Sequence, residues 1–87
     1  MNRQRVFENL EKIIAFEAVA RLGSLHRASE ELHISQPSLS VKIRNLEENL
    51  DCKFFHRSSK GVTLTSKGKE LLSFARNLMQ MSSKLSD

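Results

Sequence analysis

The chain has 87 residues, with 14 Lys or Arg against 10 Asp or Glu and a formal charge of +4. This length builds one small domain with a single core and leaves no room for an active-site cleft between two layers. No apolar run is long enough to span a membrane or serve as a signal peptide, and a single cysteine, Cys52, allows no internal disulfide. We therefore expect a cytoplasmic protein without a membrane partner, whose positive charge favours a polyanion.

The cations are concentrated in two stretches that contain no acid. Residues 32–46 carry two cations, and residues 52–69 carry five. A solvated basic surface without any partner is the alternative explanation for such stretches.

The first predicted helix begins near Leu10 and ends at Gly23. Its apolar residues recur every three positions at Ile13, Phe16 and Val19, which indicates one buried face. Glycine is the residue that most often follows a helix C-terminus, because it adopts the left-handed conformation without strain.

A helix-turn-helix is predicted next. Ser24 can cap a short helix that runs to about Leu32, and the small Ala28 and Ser29 allow another helix to cross it closely. Residues 33–34 form the turn before the third helix.

The third helix, from Ser35 to Leu50, has two different faces. Ser35 is its predicted cap, and Pro37 falls in the first turn, where a missing amide hydrogen costs nothing. One face is an apolar stripe, and the other carries Gln, Ser, Asn and Arg rather than the Glu and Lys of an ordinary solvated helix. Such a surface suits hydrogen bonding to a flat polar partner, for which base edges are one candidate. The apolar stripe consists of Leu39, Ile43, Leu46 and Leu50.

A β-hairpin with a cationic tip follows. Residues 54–57 and 62–64 have strand character, and residues 58–61 are turn formers that include Lys60. An isolated hairpin is marginal in water, so we expect this one to pack on the helices as a wing.

Thr65 is the predicted cap of a last helix that runs to the end of the chain. Its apolar residues step by three and four, as in a heptad seam. We expect the seam to form a homodimer, and packing within its own chain is the open alternative. The seam residues are Leu71, Phe74, Leu78, Met81 and Leu85.

Four residues of the third helix are predicted to face bases. Gln36 can pair with adenine through two hydrogen bonds, unless it only caps its own helix, and Ser40 can donate or accept. Val41 could contact a thymine methyl group, but a single exposed apolar residue is also ordinary. Pro37 completes the set.

Backbone phosphates are the predicted partners of a second set of residues, through hydroxyls, helix N-terminal amides and cationic side chains. Lys60 should reach the neighbouring minor groove or its phosphates. Arg57 has a second interpretation, as a structural ion pair with Glu47 or Glu48. The predicted phosphate contacts are Ser24, Ser35, Ser38, Lys42, Arg44 and Arg57.

Catalysis, metal binding and cofactors are not predicted. The three histidines, His26, His33 and His56, have no nucleophile or carboxylate arranged around them, and three glycines cannot form a phosphate loop. Cys52 and His56 alone are too few ligands for zinc.

With these residues laid out, the chain resembles the N-terminal DNA-binding region of LysR-type transcriptional regulators. The match covers nearly all of residues 10–68. It is carried by Leu10, Ile13, Phe16, Val19, Gly23-Ser24-Leu25, Ala28, Leu32, Ser35-Gln36-Pro37-Ser38-Leu39-Ser40, Ile43-Arg44, Leu46-Glu47, Leu50, Phe55, Arg57, Gly61-Val62, Leu64-Thr65 and Gly68.

The resemblance implies a mainly α fold, a winged helix-turn-helix in residues 1–64, with a long linker and dimerisation helix in residues 65–87. It implies that the third helix enters the major groove of double-stranded DNA, and that a full-length relative adds an effector-binding domain, absent here, and can form higher oligomers. The chain would then be a fragment of a larger regulator or a short relative. Sequence-independent nucleic-acid binding, or protein contacts through the same fold, is the alternative function.

Three residues depart from the family pattern. Asp51 stands where Gly is usual, Ser29 replaces the second Ala of a common pair, and Val41 replaces Arg or another polar residue. We expect Asp51 to tolerate the backbone of a helix end and Ser29 to preserve the close crossing. Val41 is the base-facing residue least safely inferred from the family.

Overall fold

The computed structural model describes residues 8–86, with side chains to residue 82. Its described part is mainly helical, which confirms the predicted class, and no helix in it is long and apolar enough to cross a membrane. The elements are α1 (Leu10–Leu22), α2 (Leu25–Leu32), α3 (Gln36–Leu50), β1 (Phe55–Ser58), β2 (Gly61–Leu64) and α4 (Ser66–Ser86).

Each of the first three helices ends on a residue in the left-handed conformation. Gly23 has φ 66°, His33 has φ 58° and Asp51 has φ 55°. The expectations that Gly23 ends α1 and that Asp51 adopts the backbone of the usual glycine are confirmed. The non-glycine residues each bear a strain of roughly 1 kcal/mol, because Cβ approaches the following carbonyl oxygen.

Hydroxyl caps begin three of the helices, as predicted. The Ser24 Oγ accepts from the backbone N–H of Arg27 at 3.1 Å, and the Ser35 Oγ accepts from that of Ser38 at 3.1 Å. Thr65 Oγ1 accepts from the N–H of Gly68 at 3.0 Å. Each cap satisfies an amide that has no partner inside its own helix.

The core is centred on α1 and its phenylalanine. The Phe16 ring packs edge-on against Phe54, with ring centroids 5.6 Å apart, and lies 5.0 Å from Phe55. The stripe of α3 is buried here, as predicted, and α2 crosses closely through Ala28 and Ser29, both of them buried. The hydroxyl of Ser29 donates to the His26 carbonyl at 2.7 Å, so the departure from the family pattern leaves no buried polar atom unpaired.

An ion cluster joins α1 to α2. Arg21 donates to Glu17 at 3.0 Å and also to Glu31. Hydrogen bonds to Glu31 first and Glu17 second raise the pKa of Arg21, and the same guanidinium lowers the pKa of Glu31. Because the folded pKa of Glu31 is depressed, the stability that this pair contributes is present at neutral pH and lost as acid protonates the carboxylate.

The hairpin is antiparallel, with Phe55 opposite Leu64 and Ser58 opposite Gly61. The prediction that the first strand begins at residue 54 is wrong by one residue. Phe54 is fully buried, but its N–H donates to the Glu47 carboxylate at 2.8 Å instead of joining the ladder.

The predicted seam of α4 is divided between two environments. Leu71 lies fully buried in the core of its own chain, whereas Phe74 and Met81 are 41% and 62% exposed. Successive residues turn by about 100°, so the exposed residues lie roughly 100° around α4 from its buried face. Leu78 is half-buried, and the side chain of Leu85 lies outside the described residues.

Candidate nucleic-acid interface

The outward face of α3 forms an exposed ridge. Gln36, Pro37, Val41, Arg44 and Asn45 are all exposed, and Val41 is 45% exposed although it is apolar. The ridge is fixed in orientation because the opposite face of the same helix is buried along its whole length. Four turns of helix therefore present these side chains to solvent over the exposed half of α3.

A concavity lies between the ridge and the wing. It is lined by residues 23–26, Gln36 and residues 57–62. Three separate elements thus bring Ser24, Gln36, Arg57 and Lys60 to one place, although they are far apart in sequence. A predicted base contact is surrounded here by two predicted phosphate contacts, Ser24 and Arg57, and by the wing residue Lys60.

A second concavity continues the first one along α3, and Arg57 belongs to both. Its walls come from the ridge, from the residues after α3 and from the base of the wing. The lining residues are Ser40, Arg44, Glu47, Lys53, Phe55 and Arg57.

A third concavity lies on the other flank of the ridge, away from the wing. Cations from two helices, Lys12 of α1 and Lys42 of α3, stand on this side. The ridge therefore has a cationic depression along both flanks. The remaining lining residues are Ile34, Ser35, Pro37, Ser38, Val41 and Asn45.

Arg57 bonds to α3 rather than to an acid. Its Nη1 donates to the Ser40 Oγ at 3.3 Å, which ties the wing to the ridge. Among the described residues no carboxylate pairs with Arg57, so the alternative of an ion pair with Glu47 or Glu48 is wrong. Ser40 is half-buried, and because its hydroxyl accepts in this bond its hydrogen is still available to a ligand.

Two other predicted phosphate contacts already have partners in the chain. Lys42 Nζ lies 3.1 Å from Glu11 Oε1 of α1, and its side chain is 32% exposed. The Ser35 hydroxyl accepts from the Ser38 N–H and donates to the Ser38 hydroxyl at 2.9 Å. A phosphate would have to compete with the carboxylate for Lys42, whereas Arg44 is exposed without an acid partner among the described residues.

Sequence reasoning missed the role of Glu47, which joins α3 to the wing. This carboxylate is 7% exposed and accepts from the N–H groups of Phe54 at 2.8 Å and Phe55 at 3.4 Å. A signal was present, since a spacing of four from Ile43 and three from Leu50 places Glu47 on the buried face. A buried acid must find donors, and the strand that follows supplies them.

A short helix crossing under an exposed one, with a hairpin beside it, defines a winged helix-turn-helix domain. The family model described as "Bacterial regulatory helix-turn-helix protein, lysR family" matches residues 10–69. The chain belongs to the LysR family of bacterial regulatory helix-turn-helix proteins.

Known relatives agree with this membership. The RuBisCO operon transcriptional regulator of Allochromatium vinosum is 43% identical over 72 residues, 83% of this chain and 24% of the relative. The chain thus spans about a quarter of the length of the curated relatives it matches.

Two solved structures with similar folds contain DNA. The BenM DNA-binding domain in complex with the catB site 1 DNA has a TM-score of 0.82 and 32% identity, over 88% of this chain and 86% of that one. The CbnR DNA-binding domain–DNA complex has a TM-score of 0.80 and 31% identity, over 90% of each chain.

Proposed function

We propose that this domain binds double-stranded DNA in a sequence-specific manner as part of a bacterial transcriptional regulator, with α3 in the major groove and the wing at the minor groove. The observation that carries the proposal is the ridge of α3 with a cationic depression on each flank. A helix with its side chains is about 10–12 Å across, and the major groove is about 12 Å wide with a phosphate backbone on either side. The ridge thus matches the groove, and the flanks match the backbones.

Direct base contacts are proposed for Gln36, Pro37, Ser40 and Val41, which all line the concavities beside the ridge. The wing contributes Lys60, which is exposed at the turn of the hairpin. Binding of this kind requires no catalytic residue, and the corresponding place of action is the cytoplasm. Backbone contacts are proposed for Ser24, Ser35, Ser38, Lys42, Arg44 and Arg57.

Homologous complexes support the proposal. The relatives of known structure bind DNA through domains that align with 88% and 90% of this chain, and both exceed 30% identity. Since the family model matches residues 10–69, which include the ridge and the wing, the same docking is the simplest expectation for this chain.

A paired substitution tests the assignment of roles. Gln36→Ala should reduce the preference for one sequence by about 1–3 kcal/mol, because it removes a base contact. Lys60→Ala should instead weaken all duplexes alike and lower the salt slope by roughly one, because it removes a phosphate contact. The measurement is a mobility-shift titration at several salt concentrations, against a duplex selected from a randomised pool and a scrambled duplex.

The reverse pattern would contradict these roles. A steep salt dependence of the unmodified protein without sequence preference would indicate sequence-independent binding, and no binding would indicate protein contacts. Arg76→Ala, on the exposed surface of α4, serves as a control of equal charge change.

We further propose a homodimer formed through α4. The apolar side chains Phe74 and Met81 are exposed beside the half-buried Leu78, and α4 continues beyond its last buried described residue, Ala75. Exposed apolar surface of this kind is typical of an interface. Leu71 is buried in the core of its own chain, so it can stabilise the dimer surface only indirectly, through the residues packed over it.

For the dimer we expect Met81→Asp to give a monomer in sedimentation equilibrium. A carboxylate at this position would be desolvated in the interface, whereas in the monomer it stays in water. The control is Gln80→Asp, which adds a carboxylate at the neighbouring exposed position, about 100° around α4 from Met81. A folded Met81→Asp protein that remained dimeric would place the interface elsewhere.

A further inference from the structure

The concavity at the base of the wing contains an unusual balance of charge. Arg44 of α3, Lys53 of the connection and Arg57 of β1 line it, and the only acid in its lining is Glu47. The space measures about 570 Å³ and is open to solvent. It is therefore accessible to an anion, and it is large enough for a phosphodiester group.

The single acid does not neutralise the three cations. Glu47 Oε2 is occupied by the N–H groups of Phe54 and Phe55, and the carboxylate is 7% exposed. Lys53 Nζ stands 3.8 Å from Glu47 Oε1, while the lysine side chain itself is 79% exposed. Lys53 can thus turn outward to a ligand without leaving a buried acid unpaired, because two amides remain on Glu47.

The three cationic side chains also differ in how strongly the surrounding structure restrains them. Arg57 is held by its hydrogen bond to Ser40, whereas Arg44 extends from α3 and Lys53 from the connection into solvent. An anion would need to order only two side chains, since the third is already in place.

The position along α3 identifies the kind of anion. Arg44 lies eight residues after Gln36, about 12 Å further along the helix axis. A base contacted by Gln36 is therefore out of reach, and the concavity lies on the flank of the ridge. Apart from Ser40, which is proposed to face a base, the concavity presents cations, so the backbone of the duplex is the part of DNA that suits Arg44, Lys53 and Arg57.

We propose that Arg44, Lys53 and Arg57 together clamp one backbone phosphate of the bound duplex, with Lys53 as the added contact residue. This inference rests on the proposed function, and it adds a site to it. The clamp contributes affinity equally on all sequences and sets how far α3 slides along the groove.

The test replaces Lys53 with Gln and uses Lys67→Gln as the matched control. Both lysines are exposed, and both lie near a carboxylate, Lys53 at 3.8 Å from Glu47 and Lys67 at 3.4 Å from Glu70. Binding to the pool-selected duplex and to a scrambled duplex is measured between about 50 and 200 mM salt. Because Arg44 and Arg57 stay on the phosphate, we expect Lys53→Gln to lower the salt slope by less than one full contact, about 0.9, and to weaken binding by up to about fivefold near 0.15 M salt on both duplexes. Lys67→Gln should change neither quantity.

Neutral methylphosphonate linkages, placed one at a time in the selected duplex, locate the phosphate. One position should weaken the unmodified protein more than it weakens Lys53→Gln, since the variant has already lost one of the three contacts with that phosphate. The clamp is overturned if Lys53→Gln matches Lys67→Gln in slope, or if no linkage shows this coupling. Equal affinity of the unmodified protein for both duplexes would overturn sequence-specific binding alone, and absence of all duplex binding would overturn both.

Discussion

Replacing Gly68 with Ala is expected to destabilise the domain by about 3 kcal/mol, at the upper end of overpacking costs. A Cβ at this position would lie 2.2 Å from the carbonyl oxygen of Phe54 and 2.9 Å from Leu64 Cδ2. The first of these atoms is backbone, and it also accepts from the N–H of Thr65 at 3.0 Å. α4 and the wing therefore cannot move apart to make room for the Cβ without losing contacts between them. Urea denaturation followed by circular dichroism measures the effect.

The control for this substitution is Gly23→Ala. Nothing lies within 4 Å of a Cβ at Gly23, so this change introduces only the strain of φ +66°, roughly 1 kcal/mol. If Gly68→Ala cost no more than Gly23→Ala, the close approach of α4 to the wing would not be a constraint on the fold.

The second large effect is expected for Glu47→Leu, at about 2–4 kcal/mol. Leucine resembles glutamate in volume, but it removes the acceptor of the Phe54 and Phe55 amides, and each buried donor left without a partner costs about 1–3 kcal/mol. Denaturation gives the free energy of unfolding, and amide exchange reports whether the Phe54 N–H has lost its protection.

Glu48→Leu is the matched control, because Glu48 is the exposed neighbour on the same helix. Its effect should stay within about 0.5 kcal/mol. Equal costs for the two variants would show that the carboxylate of Glu47 does not hold the wing.

Helix limits could be predicted from the sequence because their signals are local. A serine or threonine whose hydroxyl meets an amide three residues on, or a glycine that takes a left-handed backbone, acts within one turn of chain. Ser24, Ser35, Thr65 and Gly23 were identified in this way, and the structure confirms each of them.

The partners of charged side chains could not be predicted, because they depend on how distant elements meet. Lys42 pairs with Glu11, 31 positions earlier, and Arg57 reaches Ser40, 17 positions earlier. The start of β1 was misplaced for the same reason, since the N–H of Phe54 is taken by a side chain of α3.

Periodicity also could not assign the seam of α4. A step of three and four residues describes any apolar stripe, whether it packs on its own chain or on another. Burial along the seam depends on where the rest of the domain packs against α4. Leu71 is covered and buried, whereas Phe74 and Met81 are exposed.

The wing is held against the rest of the domain at two places, one in each half of the hairpin. At the start of the wing, Glu47 accepts a hydrogen bond from the backbone N–H of Phe54. The second strand lies against the turn after α1, where a Cβ at Gly61 would lie 3.1 Å from the Gly23 carbonyl oxygen. Only the turn that carries Lys60 therefore extends beyond these two contacts. Because the free part of the hairpin is so short, Lys60 has few positions available to it, and little chain entropy would be lost in the DNA contact proposed for this residue.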